Sequence, residues 1–133
     1  MIKDNKRNYF TAGELAGIFN ISKQSLLYYD KVQLLSPDFI SENGYRHYSV
    51  QQFLDLEIIV NLRALDISIA NIKEYLSQRS KQNFAEVLAQ KKAECEEIIR
   101  KNQEICQTIA SITSKIATNE KYSCRDITLT WHK

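Results

Sequence analysis

Glycine and proline are scarce in this chain: its 133 residues include only 3 glycines and 1 proline. Because these residue types mark turns and interrupt helices, their scarcity favours a helix-dominated chain. Apolar residues make up 44% of the sequence, which is enough for a compact core. A chain of this length is expected to form one domain, or one small domain with an extension.

Long apolar segments are absent as well. No segment approaches the roughly 18 consecutive apolar residues of a membrane span, and residues 1–7 lack the apolar core of a signal peptide. We therefore expect a cytoplasmic protein that has no membrane partner. The three cysteines, Cys95, Cys106 and Cys124, are odd in number and lack CxxC spacing, which predicts reduced thiols rather than a disulfide framework.

The N-terminal part also lacks an excess of positive or negative charge. Residues 1–80 contain nine basic and nine acidic side chains, whereas residues 81–133 contain nine basic and seven acidic ones, which gives the net charge of +2. Affinity for nucleic-acid phosphates would therefore depend on local groups of cations. These groups are Lys3, Lys6 and Arg7 near the N-terminus, Lys23 and Lys31 around the second predicted helix, and Arg46.

A first short helix is predicted to begin at Thr11. Thr11 and Glu14 have the spacing of a capping box, in which each residue bonds the backbone N–H of the other. The helix is expected to run to about Phe19, with Leu15, Ile18 and Phe19 on its inner face.

A second short helix follows after a brief turn. Ser22 is a suitable N-cap, and the helix is predicted to run to Asp30. Leu26 and Tyr29 are three residues apart and are expected to pack inward together. Two short helices joined in this way form a helix-turn-helix.

A β-hairpin is predicted between residues 39 and 48. Phe39 and Ile40 precede the segment Ser41-Glu42-Asn43-Gly44, and an aromatic strand follows it. Asn43 and Gly44 are expected to supply the positive φ angles of a tight hairpin turn. Further helices are predicted to begin at Ser49, which forms a capping box with Gln52, and at Ser68, where Ile69, Ile72 and Leu76 form the apolar stripe.

The last long segment has the periodicity of a coiled coil. Its heptad positions, spaced alternately by four and three, are Phe84, Leu88, Lys91, Cys95, Ile98, Asn102, Ile105, Ile109, Ile112 and Ile116. Such a helix needs a partner to bury this stripe, most simply a second copy of the chain. The polar residues Lys91 and Asn102 are interpreted as positions that fix register, with an effector site as the alternative.

Three segments are specific in combination: 28–30 (YYD), 34–37 (LLSP) and 43–48 (NGYRHY). Together with the order of the predicted elements, they make the chain resemble the MerR family of bacterial regulators over about residues 9–118. The resemblance implies a mainly α protein with a winged helix-turn-helix DNA-binding head and a small β-hairpin wing, followed by a long antiparallel coiled-coil dimerisation helix. The corresponding boundaries are 1–80 for the head, 81–119 for the helix and 120–133 for a tail with one strand.

The resemblance also implies a function. A homodimer of this family binds a palindromic promoter site and distorts the spacer DNA, which realigns the promoter for RNA polymerase. Carried over by position, Tyr28 would approach the major groove, and Tyr45 and Arg46 would hold flanking phosphates. Arg63 and Lys23 are weaker DNA-binding candidates.

Two positions depart from the family pattern. The family usually has arginine at the position of Leu27, so a phosphate contact would be lost there. It usually has glycine at the position of Gln33, from which we expect an altered chain geometry after the second helix.

An effector is expected to be a small organic molecule, with Tyr122, Cys124 and Trp131 as candidate residues. No metal site or cofactor is predicted: Cys95 and Cys106 are interpreted as buried small apolar residues, and Cys124 with His132 makes a poor ligand set. Cys124 is also the candidate for a redox-responsive thiol. The tail strand either packs on a partner chain, or begins an effector domain beyond residue 133, or contributes to an aromatic pocket.

Two alternative functions remain open at the level of sequence. One is a DNA-bending accessory factor without an effector, and the other is a coiled-coil interaction protein whose head no longer binds DNA. An enzyme is not expected, because the sequence shows no paired carboxylates, no nucleophile with a base and no phosphate-binding loop.

Overall fold

A computed structural model describes residues 8–118. It contains two compact units, the first ending at Leu88 and the second beginning at Ala89. The elements in chain order are β1 (Tyr9–Thr11), α1 (Ala12–Phe19), α2 (Lys23–Lys31), β2 (Phe39–Ile40), β3 (Arg46–Ser49), α3 (Val50–Ala64), α4 (Ile69–Ser77) and α5 (Lys81–Thr118). A mainly helical chain with a small antiparallel sheet and a long last helix confirms the predicted fold class. The pairing of α5 with a partner helix stays a prediction.

The predicted N-caps are confirmed. At the start of α1, the Glu14 N–H donates to Thr11 Oγ1 at 3.2 Å and the Thr11 N–H donates to Glu14 Oε1 at 2.8 Å. The same reciprocal pair forms at the start of α3. Four N-cap side chains accept a backbone N–H three residues on: Thr11, Ser22, Ser49 and Ser68. Local hydrogen bonds therefore fix where these helices begin.

Three helices of the first unit end on residues with a left-handed backbone: Asn20, Gln33 and Asp66, with φ of 55°, 62° and 62°. After α2, the Leu34 N–H donates to the Tyr29 carbonyl and the Gln33 N–H to the Asp30 carbonyl, which is the Schellman arrangement. Glycine adopts this conformation without a steric cost, whereas glutamine does not. The backbone at Gln33 thus has a conformation that suits glycine, so the expected change of geometry is wrong and the cost is local strain.

The core of the first unit is apolar. Its fully buried side chains are Leu15, Leu26, Tyr48, Leu56, Ile59, Leu62 and Ile72. Phe53 of α3 packs against both Phe10 and Phe19, with ring centroids 4.9 and 5.0 Å apart. Ile18 is 56% exposed, so its predicted inward orientation is wrong. The eight-residue helix α1 buries the face of Leu15, and Ile18 lies outside it.

The sheet has the order β1-β3-β2, with both neighbouring pairs antiparallel. Phe10 lies opposite Tyr48, and Ile40 lies opposite Arg46. Strand β1 was not predicted from the sequence because its three residues run directly into the capping box of α1. Through β1, the hairpin is joined to the start of the helix-turn-helix.

The hairpin turn differs from the predicted one. Among the residues of this turn only Gly44 has a positive φ, at 86°, and Asn43 does not. The Gly44 N–H donates to the Ser41 carbonyl and the Ser41 N–H donates to the Tyr45 carbonyl, each at 2.9 Å. These bonds describe a four-residue turn, residues 41–44, whose last residue is the left-handed Gly44, rather than a two-residue turn with two positive φ angles.

Helix α5 is 38 residues long. Its first apolar residues, Phe84, Val87 and Leu88, pack against the core of the first unit. Further along, Ile98, Ile105 and Ile109 are about half exposed. None of the helices within residues 8–118 has the length and apolar character needed to cross a membrane.

Two cysteines of α5 are exposed in the single chain, Cys95 and Cys106. Their interpretation as buried apolar residues depends on a partner helix that covers the heptad stripe. Their burial therefore stays a prediction, like the pairing of α5.

Candidate nucleic-acid interface

One face of helix α2 is exposed to solvent, and it carries both polar and apolar side chains. Leu26 and Tyr29 point into the core, as predicted. Spacings of three and four residues place the exposed side chains on the opposite side of the helix. They are Lys23, Gln24, Leu27, Tyr28 and Lys31. This face contains the predicted site residues Lys23 and Tyr28, the latter 50% exposed.

The wing is the hairpin of β2 and β3. Tyr45 leads into β3 and is 62% exposed, so its ring and hydroxyl are available to a partner. His47 stacks on Phe39 with ring centroids 4.7 Å apart, and Phe39 in turn meets the edge of Tyr9 at 5.0 Å. These ring contacts stiffen the hairpin and account for His47 as a packing residue.

Arg46 joins the wing to the end of α2. Its guanidinium donates a hydrogen bond to Asp30 Oδ2, and Ser36 Oγ donates to Asp30 Oδ1 at 2.7 Å. The hydrogen bonds from Ser36 and Arg46 lower the pKa of Asp30, and Asp30 raises the pKa of Arg46. A guanidinium has five N–H donors, so one bond to Asp30 leaves others for a phosphate.

Sequence reasoning missed Asp30 and Ser36 as parts of this site. Asp30 and Arg46 are 16 residues apart, and no local pattern connects them. The only available signal was that Asp30 lies in the segment 28–30 and Ser36 in the segment 34–37, two of the three segments that carry the family resemblance.

Tyr48 lies behind this network. Its side chain is fully buried, and within the described residues its hydroxyl completes no hydrogen bond of good geometry, although the Arg46 guanidinium lies close enough to interact with it. Burial raises the pKa of Tyr48, while the nearby Arg46 guanidinium lowers it by a smaller amount. Tyr48 therefore supports the wing from inside and takes no part in its outer surface.

A cleft of about 300 Å³ lies between α2 and the wing, with the start of α1 as its third side. We call it the α2–wing cleft, and it is lined by Thr11, Ala12, Gly13, Lys23, Leu26, Leu27, Gly44, Tyr45 and Arg46. Lys23 lies over Gly13, where a Cβ atom would be 3.3 Å from Lys23 Cε. The apolar surface of the leucines is thus bordered by the cations Lys23 and Arg46 and by the Tyr45 ring.

The remaining predicted DNA-binding residue, Arg63, is not among the residues that line this cleft. Its guanidinium donates to the Ile67 carbonyl at 2.9 Å and so closes the end of α3. Of the five predicted residues, the structure brings Lys23, Tyr45 and Arg46 together at the cleft and places Tyr28 on the exposed face of α2.

Several predicted residues lie outside the described part of the chain: Lys3, Lys6, Arg7, Tyr122, Cys124 and Trp131. The same holds for the predicted tail strand. Between residues 8 and 118, no three His, Cys, Asp or Glu side chains are grouped so that they could hold a metal ion.

Comparison with known proteins identifies a family. The sequence model described as "MerR HTH family regulatory protein" matches residues 10–79. The chain is 31% identical over 117 residues to the multidrug-efflux transporter 2 regulator of Bacillus subtilis (strain 168). That match covers 86% of this chain and 43% of the relative, so the chain spans less than half the length of this relative.

Solved structures show the same fold. A MerR-family transcriptional regulator from Bacillus cereus superposes with a TM-score of 0.61 at 22% identity, covering 91% of this chain and 90% of that one. EcmrR, solved with DNA in the complex EcmrR-RPo, superposes with a TM-score of 0.63 at 25% identity. This second match covers 84% of this chain and 41% of EcmrR.

Proposed function

The chain belongs to the MerR family of helix-turn-helix regulatory proteins, and from this membership we propose that it is a sequence-specific DNA-binding regulator of transcription. Its site of action would be promoter DNA in the cytoplasm. The observation that carries the proposal is the α2–wing cleft, where an exposed helix face and a stiff hairpin present cations side by side. Membership in a family of regulatory proteins also agrees with the prediction that the chain is not an enzyme.

The contacts to DNA would divide between the two parts of the interface. A helix-turn-helix places its second helix in the major groove, which here is α2 with Lys23 and Tyr28. The wing would hold the adjacent backbone, because the free donors of Arg46 and the Tyr45 hydroxyl can bond phosphate oxygens. Arg63 is a further phosphate-binding candidate, although one of its donors is used by the Ile67 carbonyl.

The binding species would be a homodimer joined through α5. The half-exposed isoleucines of α5 form an apolar stripe at heptad spacing, including Ile98, Ile105, Ile109 and Ile116, which Asn102 interrupts once. Fully burying an exposed isoleucine side chain is worth roughly 1.5–3 kcal/mol. These side chains are already about half buried, so a partner helix would gain roughly half of that for each of them. Two copies related by a twofold axis would bind a palindromic site, and the family resemblance favours antiparallel helices.

Regulation would follow from distortion of the spacer DNA and contact with RNA polymerase at the promoter. EcmrR, whose solved complex contains DNA, supports a role of this kind by its similarity to our chain. The name of the Bacillus subtilis relative refers to a multidrug-efflux transporter, which fits a small organic effector. Tyr122, Cys124 and Trp131 remain the candidate effector residues.

The proposal is tested by selecting bound duplexes from a random DNA library with the purified protein at rising salt. We expect a palindromic site whose affinity falls steeply with salt. Arg46→Ala should weaken binding and reduce the slope of log K against log salt by about 2, one phosphate contact for each protomer. Arg46→Lys should keep most of the slope because it keeps the charge, but it should bind more weakly because it loses the planar donors.

The matched control is Arg79→Ala. Arg79 pairs with Asp55 at 2.6 Å and is partly exposed, but it does not line the cleft. Its loss should leave the salt slope unchanged. If no duplex is enriched at low salt, or if Arg46→Ala binds like the unchanged protein, the proposed DNA-binding function is rejected in favour of a coiled-coil interaction protein.

A further inference from the structure

Leu27 is the aliphatic side chain among the residues on the exposed face of α2. It is 47% exposed and lines the α2–wing cleft between the helix and the hairpin. Its isobutyl group cannot bond a phosphate, and it does not belong to the buried core. The side chain therefore needs an apolar partner if this face is covered by DNA.

The charges around Leu27 restrict what that partner can be. Lys23 precedes it by one helical turn, and Arg46 and Tyr45 lie on the opposite side of the cleft. An occupant must therefore bring an apolar group between anionic or hydrogen-bonding groups. In the major groove of duplex DNA, the apolar group at the base edges is the C5 methyl of thymine, and phosphates flank the groove.

We propose that Leu27 contacts the C5 methyl group of a thymine and so contributes to the choice of operator sequence. This inference rests on the proposed function, because it assumes that α2 enters the major groove. Lys23 and Arg46 would hold the phosphates on either side, while Leu27 excludes water from the methyl group. Gln24, one turn before Tyr28 on the same exposed face, is the amide that could bond an adenine edge nearby.

The expected loss of affinity follows from the transfer free energy of one methyl group. Removing one buried methyl group from a protein–DNA contact should weaken binding roughly fourfold, from the transfer free energy of a CH₂-sized group. A symmetric operator contains two such contacts, so replacing both thymines should weaken binding by roughly fifteenfold.

The test replaces each thymine of the selected operator in turn with deoxyuridine, which differs only by lacking the C5 methyl. Affinities for the thymine and uracil duplexes are measured with the unchanged protein, with Leu27→Ala and with Leu54→Ala. Leu54 on α3 is the control, because it is 46% exposed and does not line the cleft. The readout is the ratio of the two affinities within each protein, so a general loss of affinity cancels.

We expect the unchanged protein and Leu54→Ala to discriminate at one thymine in each half-site, and Leu27→Ala to bind both duplexes equally there. Equal affinity of the unchanged protein for thymine and uracil duplexes at every position would overturn the inference while leaving the regulator intact. Discrimination that persists in Leu27→Ala would also overturn it and assign the methyl contact to another side chain. Failure to select any operator would instead remove the proposed function on which the inference depends.

Discussion

Arg46 of the wing donates a hydrogen bond to Asp30 at the end of α2, so the two parts of the interface are joined by an ion pair. Both side chains are partly shielded from solvent, with 26% and 29% of their surface exposed. Ser36 bonds the second carboxylate oxygen at 2.7 Å and fixes its orientation. The wing and α2 should therefore meet DNA as one rigid surface.

The first prediction concerns this ion pair. Asp30→Asn should lower the free energy of unfolding by about 0.5–1 kcal/mol at neutral pH, because the pair is only partly shielded. The folded-state pKa of Asp30 is lowered by Ser36 and Arg46, so its stabilisation is present above the unfolded pKa and is lost as pH falls through the folded pKa. Denaturant titrations from about pH 5 to about pH 2 should show the difference between variant and unchanged protein shrinking to zero.

The matched control is the exposed acid of the hairpin turn, Glu42. Glu42→Gln should cost little in free energy of unfolding, since an exposed carboxylate contributes little to stability. A difference for Asp30→Asn that stays constant across the whole pH range would contradict the ion-pair explanation.

The second prediction concerns the hydroxyl of Tyr48. Among the described residues it is buried and completes no hydrogen bond of good geometry, with the Arg46 guanidinium as its polar neighbour; such a poorly bonded hydroxyl costs free energy. Tyr48→Phe should therefore leave stability unchanged or raise it by up to about 1 kcal/mol. Tyr45→Phe, at an exposed ring, is the control and should have no effect on the midpoint of chemical denaturation. A clear loss of stability in Tyr48→Phe would show that the hydroxyl is bonded in solution.

The third prediction concerns the backbone of Gln33. Its φ of 62° costs about 1–2 kcal/mol for a residue with a Cβ. Glycine removes this strain but gains freedom in the unfolded chain, so Gln33→Gly should be more stable by about 0.5–1 kcal/mol. Gln33→Ala keeps the strain and should show no gain. Equal stability of the two variants, measured at a fixed protein concentration, would argue against strain at this position.

The fourth prediction concerns the polar residue Asn102 at a heptad position of α5. Asn102→Ile should raise the melting temperature of the dimer while allowing more than one helix register, since a buried polar residue fixes register at a cost in stability. Ile105→Asn is the opposite change and should weaken the dimer. Concentration-dependent melting and cross-linking through single cysteines measure the two effects, and a lower melting temperature for Asn102→Ile would contradict this role.

Local signals accounted for much of the fold. The capping boxes at Thr11 and Ser49 and the hairpin near Gly44 depend on bonds between residues close in sequence, and the structure contains them. Ile18 is predicted to face inward but is exposed. The prediction fails because residue spacing in an eight-residue helix does not determine which of two overlapping faces is covered. That choice is made by distant residues such as Phe53, which packs on Phe19.

The interface was less predictable for the same reason. Its exposed residues on α2 and the wing could be located, since Lys23, Tyr45 and Arg46 belong to recognisable elements. The Asp30–Arg46 pair could not, because it arises from how separate segments meet. The departure from glycine at Gln33 is visible in the sequence, but the left-handed backbone that the glutamine adopts is not.

Polar attachments hold α2 near both of its ends. At the C-terminal end, Asp30 binds Arg46 and Ser36, and Lys73 of α4 donates to the Val32 carbonyl at 3.1 Å. Just before the N-terminal end, the Ile21 N–H donates to the Ala16 carbonyl at 3.0 Å. The spacing between the helix and the wing is thereby set within the protein, so the DNA has to adapt its groove width to this spacing. Operators whose sequence makes that deformation easy should be bound most tightly, even at base pairs that no side chain contacts.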